Sequence, residues 1–67
     1  MQMFYVAVNF VAYENEAMQV CRRDFVILTT DNEKAIELGK ERVSTYFNPI
    51  EIIQIGVVPA FSNVVQI

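Results

Sequence analysis

Thr29–Pro49 reads TTDNEKAIELGKERVSTYFNP, and this stretch decides the fold. It carries a start signal, one apolar stripe and a stop signal. Thr30 and Glu33 have the T-x-x-E spacing of a capping box, in which each side chain bonds the other residue's backbone N–H. Asp31 and Glu33 also sit at the positive end of the helix dipole. Ala35, Ile36, Gly39, Val43, Tyr46 and Phe47 follow the i, i+3, i+4 spacing of one buried face. Gly39 lies in mid-helix, where it costs roughly 1 kcal/mol against Ala. The natural compensation is a close approach of helix to sheet at that turn. Asn48-Pro49 ends the helix, because the residue before a proline is pushed out of the right-handed α region. A helix over about 31–47 is therefore predicted.

The flanking segments read as strands. Met3–Tyr13 is rich in Val, Phe and Tyr, with Phe4, Val6, Val8 and Phe10 on one parity. The opposite parity carries Tyr5, Ala7, Asn9, Val11 and Tyr13, a mixed face. Glu14-Asn15-Glu16 is the turn, and Asn15 tolerates the left-handed conformation that a tight hairpin needs. Ala17–Leu28 is the return strand. Its centre, Cys21-Arg22-Arg23-Asp24, interrupts the apolar pattern and reads as a solvated or edge stretch, with a β-bulge as the alternative. Ile50–Val58 is a third strand, apolar on both parities and stopped by Pro59. Residues 60–67 add a short fourth strand or cover the open face.

The predicted architecture is α+β, β-β-α-β. Three, or four, mostly antiparallel strands take the order 2-1-3, with one helix on one face. Placing the first strand in the centre makes both of its pairings antiparallel and puts the most continuously apolar segment inside.

Sixty-seven residues make one domain. A chain this short buries only about 60% of the surface that its unfolded form exposes. Small folds commonly use a staple, yet Cys21 is the single cysteine and there is no histidine. Hydrophobic residues make up 54% of the chain and charged residues 19%, below the usual quarter. That excess of apolar surface points to association.

The net charge of −3 argues against binding to a nucleic-acid backbone, which requires a basic stripe. No apolar run reaches the ~18 residues of a membrane span. The N-terminal MQMFYVAVNFVAY lacks the basic region of a signal peptide. A cytoplasmic location with no membrane partner is the expectation.

Little chemistry is available. Cys21 is the one candidate nucleophile, but no histidine can serve as its base, and neighbouring strand residues point to opposite faces. It is expected to be a small apolar strand residue. Glu14 and Glu16 flank a solvated hairpin tip. Asp31 and Glu33 are engaged in capping. Glu37 and Glu41 share the outer helix side with Lys34 and Lys40. None of these offers the desolvated carboxylate pair that general acid–base work needs. Metal sites require clustered ligands and phosphate cradles require glycine-rich loops. Neither pattern occurs, so no catalytic, metal or cofactor site is expected. One helix covers one sheet face. The other face, with the interruption, is the expected interaction surface: Tyr5, Asn9, Val11, Tyr13, Arg22, Arg23 and Asp24. Its occupant would be a host protein or a second copy, as a homodimer.

Residues 24–59, DFVILTTDNEKAIELGKERVSTYFNPIEIIQIGVVP, resemble the core of very small phage-encoded proteins that bind and disable host machinery. The family nearest in layout is the T7-type inhibitor of bacterial RNA polymerase, and small anti-CRISPR proteins share its style. The shared features are a strand leading into an acidic capped helix, the Ala35-Ile36-Glu37-Leu38 pattern, Pro49 after the helix, Glu51 opening the last strand and Pro59 closing it. The resemblance implies an inhibitor or adaptor that occludes a protein surface. That family's last strand carries arginines used against the polymerase. The comparable stretch here is Gln54-Ile55-Gly56, so the implied target does not carry over.

Overall fold

The structure, a computed structural model, describes residues 1–60. Strand β1 spans Gln2–Glu14, β2 spans Ala17–Thr29, helix α1 spans Asn32–Phe47 and β3 spans Glu51–Pro59. The sheet order is β2-β1-β3, antiparallel throughout, as the sequence predicts. The expectation of a fourth strand or cover falls on 61–67, outside the described residues. Ala60 itself extends the β3 pairing, its N–H donating to Met3 O at 2.8 Å.

Alternation builds the core. Phe4, Val6, Val8, Phe10 and Ala12 of β1 are all buried, because period-2 geometry turns every even residue of that strand toward the helix. Ile27 of β2 and Ala35 and Val43 of α1 complete the cluster. Phe25, Cys21, Leu38, Phe47, Ile52, Ile55 and Val57 pack around it, half-buried. The hairpin closes through Asn15 (φ 52°) and Glu16 (φ 64°). Two left-handed residues in a two-residue loop match the right-handed twist of the strands they join.

The helix meets the sheet most closely at Gly39. A Cβ at that position would lie 2.7 Å from Val6 Cγ1, so the absent side chain sets the spacing, as expected. Two details differ from the sequence reading. The helix cap is Asp31, whose carboxylate accepts from Lys34 N–H at 2.8 Å, so the start lies one residue after Thr30. Tyr46 is 73% exposed, while Leu38 packs against the core in its place. Asn48 takes the left-handed conformation (φ 49°, ψ 59°) and closes the helix before Pro49.

The bulge lies in β3 rather than in β2. The β1–β2 register runs without a shift from Gln2↔Thr29 to Glu14↔Ala17, so Cys21–Asp24 is a regular edge stretch. In β3, Asn9 pairs with Gln54 but Phe10 pairs with Ile52, which leaves Ile53 as the extra residue. The extra residue reverses the parity. Ile52 therefore shares the helix-facing side with Ile55 and Val57, which explains why both parities of this strand are apolar.

Candidate functional site

The face opposite the helix carries the site. Its side chains fall into rows across the three strands, fixed by the two registers. Val58, Tyr5 and Val26 form one row, and Met3 with Leu28 lies beyond it. Gly56, Ala7 and Asp24 form the next. Gln54, Asn9 and Arg22 form the third. Val11 and Val20 follow, then Tyr13 and Met18 toward the hairpin tip.

The rows differ in height and polarity. Gly56 and Ala7 have almost no side chain, so the second row is low, and the taller rows stand as walls. The result is an open groove of about 420 Å³ lined by Tyr5, Ala7, Arg22, Asp24, Val26, Gly56 and Val58. One wall is apolar. The other side carries Arg22 and Asp24. At the β2 end, Arg22 Nε donates to Asp24 Oδ1 at 3.0 Å, so the two charges cancel locally. Both groups are well exposed, and such a pair is worth at most about 1 kcal/mol.

Exposed apolar side chains border the groove. Tyr5 is 56% exposed, and Val26, Leu28 and Val58 are open to a similar degree. Farther along the hairpin, Tyr13, Met18 and Val20 are also exposed. On strand spacing the face measures roughly 40 Å by 14 Å, about 550 Å². Its two ends are apolar, and the polar rows of Asn9, Gln54, Arg22 and Asp24 lie between them.

The structure brings together Tyr5, Asn9, Val11, Tyr13, Arg22 and Asp24 on this one face, with Asn9 and Val11 half-buried. Arg23 is not among them. It has the opposite parity, and its guanidinium lies over the Phe47 ring at 4.8 Å on the helix side. Cys21 also faces the helix side, half-buried against the core. Glu37 and Glu41 are exposed on the outer helix surface, where Glu37 lies 3.8 Å from Lys34 Nζ.

Sequence reasoning missed four groove residues: Ala7, Val26, Gly56 and Val58. Gly56 left a signal, because a glycine inside a strand weakens the strand and often marks an approach by another group. A Cβ at Gly56 would meet nothing within 4 Å, so the glycine leaves a floor open to solvent rather than relieving a clash.

Among the described residues no three His, Cys, Asp or Glu side chains come together as a metal site. No helix of these residues is long and apolar enough to cross a membrane. The chain matches no known family model, no curated protein and no solved structure.

Proposed function

We propose that this chain is a non-enzymatic protein-binding module, an inhibitor or adaptor of the phage-encoded kind, that acts by covering a surface of another protein with its open sheet face. The observation that carries this reading is the grooved, largely apolar face that the described residues leave bare, on the side of the sheet away from α1. Covering it would bury about 1,100 Å² in total, near the lower end of specific protein interfaces. A groove with an apolar wall and the Arg22–Asp24 pair at its β2 end suits an aromatic or branched side chain beside a polar group. The near-neutral charge of the face favours an uncharged partner patch.

Gly56 allows a direct test. Gly56→Trp fills the groove, yet its Cβ meets no neighbour, so the fold tolerates it. Wild type and variant are immobilised side by side and exposed to lysate of the source cells. The proposal expects a stoichiometric protein on the wild type, its retention lowered at least tenfold on Gly56→Trp, at unchanged thermal stability. Equal retention on both, or no stoichiometric protein on the wild type, would count decisively against it.

A further inference from the structure

We infer that two copies of this chain pair edge to edge along β2, antiparallel and about a two-fold axis at Arg23, to make one continuous sheet with the three described strands of each copy. The inference stands apart from whatever occupies the open face.

The two sheet edges are unlike. The β3 edge carries the bulge at Ile53 and ends on Pro59, which has no N–H to donate. The β2 edge runs 13 residues with no proline, no glycine and no shift in register. Its outward backbone groups follow from the turn. A two-residue loop makes Glu14 and Ala17 a hydrogen-bonded pair, and such pairs alternate along the ladder. Odd-numbered residues of β2 therefore bond to β1. Even-numbered residues from Met18 to Leu28 direct their N–H and C=O groups outward.

An antiparallel two-fold about Arg23 aligns these even residues with one another. Arg22 then opposes Asp24 of the second copy, and Asp24 opposes the second Arg22. Val20 meets Val26, and Met18 meets Leu28. Each is a hydrogen-bonded pair in this register. Moving the axis to Arg22 sets that arginine against itself, and moving it to Asp24 sets the carboxylates against each other. Only the Arg23 register sets opposite charges on both sides of the axis with apolar pairs beyond them, and the two Arg23 side chains that meet on the axis lie on the other face of the sheet, beside Phe47. Cross-strand pairs of these two kinds stabilise a ladder, and like charges directly opposite destabilise it.

Arg23 must release the edge for the strands to pair, and Phe47, whose ring lies 4.8 Å from the guanidinium, gives it a place on the helix side of its own copy. Arg23 Nη1 donates to Arg22 O at 2.8 Å, which satisfies an outward edge carbonyl in the single copy. In the pair, that carbonyl accepts from Asp24 N–H of the second copy. The axis is perpendicular to the sheet, so both helices lie on one side. If each is centred over its β1, the two are about 14 Å apart by strand spacing, beyond the 8–10 Å at which helices touch. The two open faces become one surface on the other side.

The test reverses charges. Arg22→Asp and Asp24→Arg are made singly, together, and as an equimolar mixture of the two single variants, with folding followed by circular dichroism. Sedimentation velocity should find the wild type dimeric. Each single variant should weaken the dimer by about tenfold or more. The mixture should restore it, because the paired carboxylates of the Arg22→Asp copy then face the paired guanidinium groups of the Asp24→Arg copy. The doubly exchanged variant should dimerise alone, and it carries the test should a single variant fold poorly. A wild type that stays monomeric to high micromolar concentration, single variants that dimerise like the wild type, or a doubly exchanged variant that remains monomeric would each overturn the inference.

Discussion

Gly39 fixes the distance between helix and sheet by what it lacks. Replacing it with Ala favours the helix by roughly 1 kcal/mol on propensity alone. The added methyl would sit 2.7 Å from Val6 Cγ1, inside contact distance. Val6 is 1% exposed and β-branched, so it has neither room nor rotamer freedom to withdraw. Overpacking of this kind typically costs about 1–3 kcal/mol. The second effect wins, and Gly39→Ala should lower stability in urea by about 1 kcal/mol. In a Val6→Ala background the same change should become neutral or stabilising. A Gly39→Ala penalty that persists without the valine methyls would place the close contact elsewhere. At this scale the sequence was readable where a residue broke a local rule. A glycine in a helix has a cost that something must offset, and the offset could be inferred. Gly56 breaks the same kind of rule in β3, but what surrounds it depends on strand pairing, which a single strand's sequence does not contain.

Elements were legible in kind and less so in their ends. The helix begins one residue later than its capping box implies. Asp31 holds an extended φ of −153° and bonds Lys34 N–H, taking the place that Thr30 would have held. Three candidate caps in a row, Thr29, Thr30 and Asp31, leave the choice to how the chain leaves β2, and Thr29 is buried at the strand end. Asp31→Ala should therefore cost about 1 kcal/mol, while Thr30→Ala should change stability by only a few tenths. Chemical denaturation of the two variants decides between the caps, and a larger loss at Thr30 would restore the capping box. The β3 bulge was hidden for a related reason. Apolar residues on both parities suit a strand buried on two sides as well as a bulged strand buried on one. Only the pairing of Phe10 with Ile52 separates these cases. In β2, by contrast, Met18, Val20, Val26 and Leu28 keep one parity through Arg22 and Asp24, and the strand is a regular edge stretch, not the bulge that its charged centre also allowed.

For the whole molecule, the strand order followed from a simple asymmetry. One segment, Met3–Tyr13, is long and uninterrupted enough to be flanked on both sides, and the structure places it in the centre. The resulting body is elongated, 47 × 23 × 16 Å, because the hairpin outruns both its helix and β3. The sequence also pointed to the open face and to six of the residues it named there. It did not reveal the groove, which exists only because Gly56 and Ala7 become neighbours through the β1–β3 register. On the proposed function this face, and not the charged outer side of the helix, meets the partner. The chain carries its own reporters for the difference. Tyr5 forms a groove wall at 56% exposure, and Tyr46 stands on the helix at 73%. Hydroxyl-radical footprinting of the chain alone and in complex with the protein it captures compares the two directly. Oxidation of Tyr5 should fall severalfold on binding while Tyr46 labels at its free rate. Protection of Tyr46 with Tyr5 unchanged would contradict the proposed function.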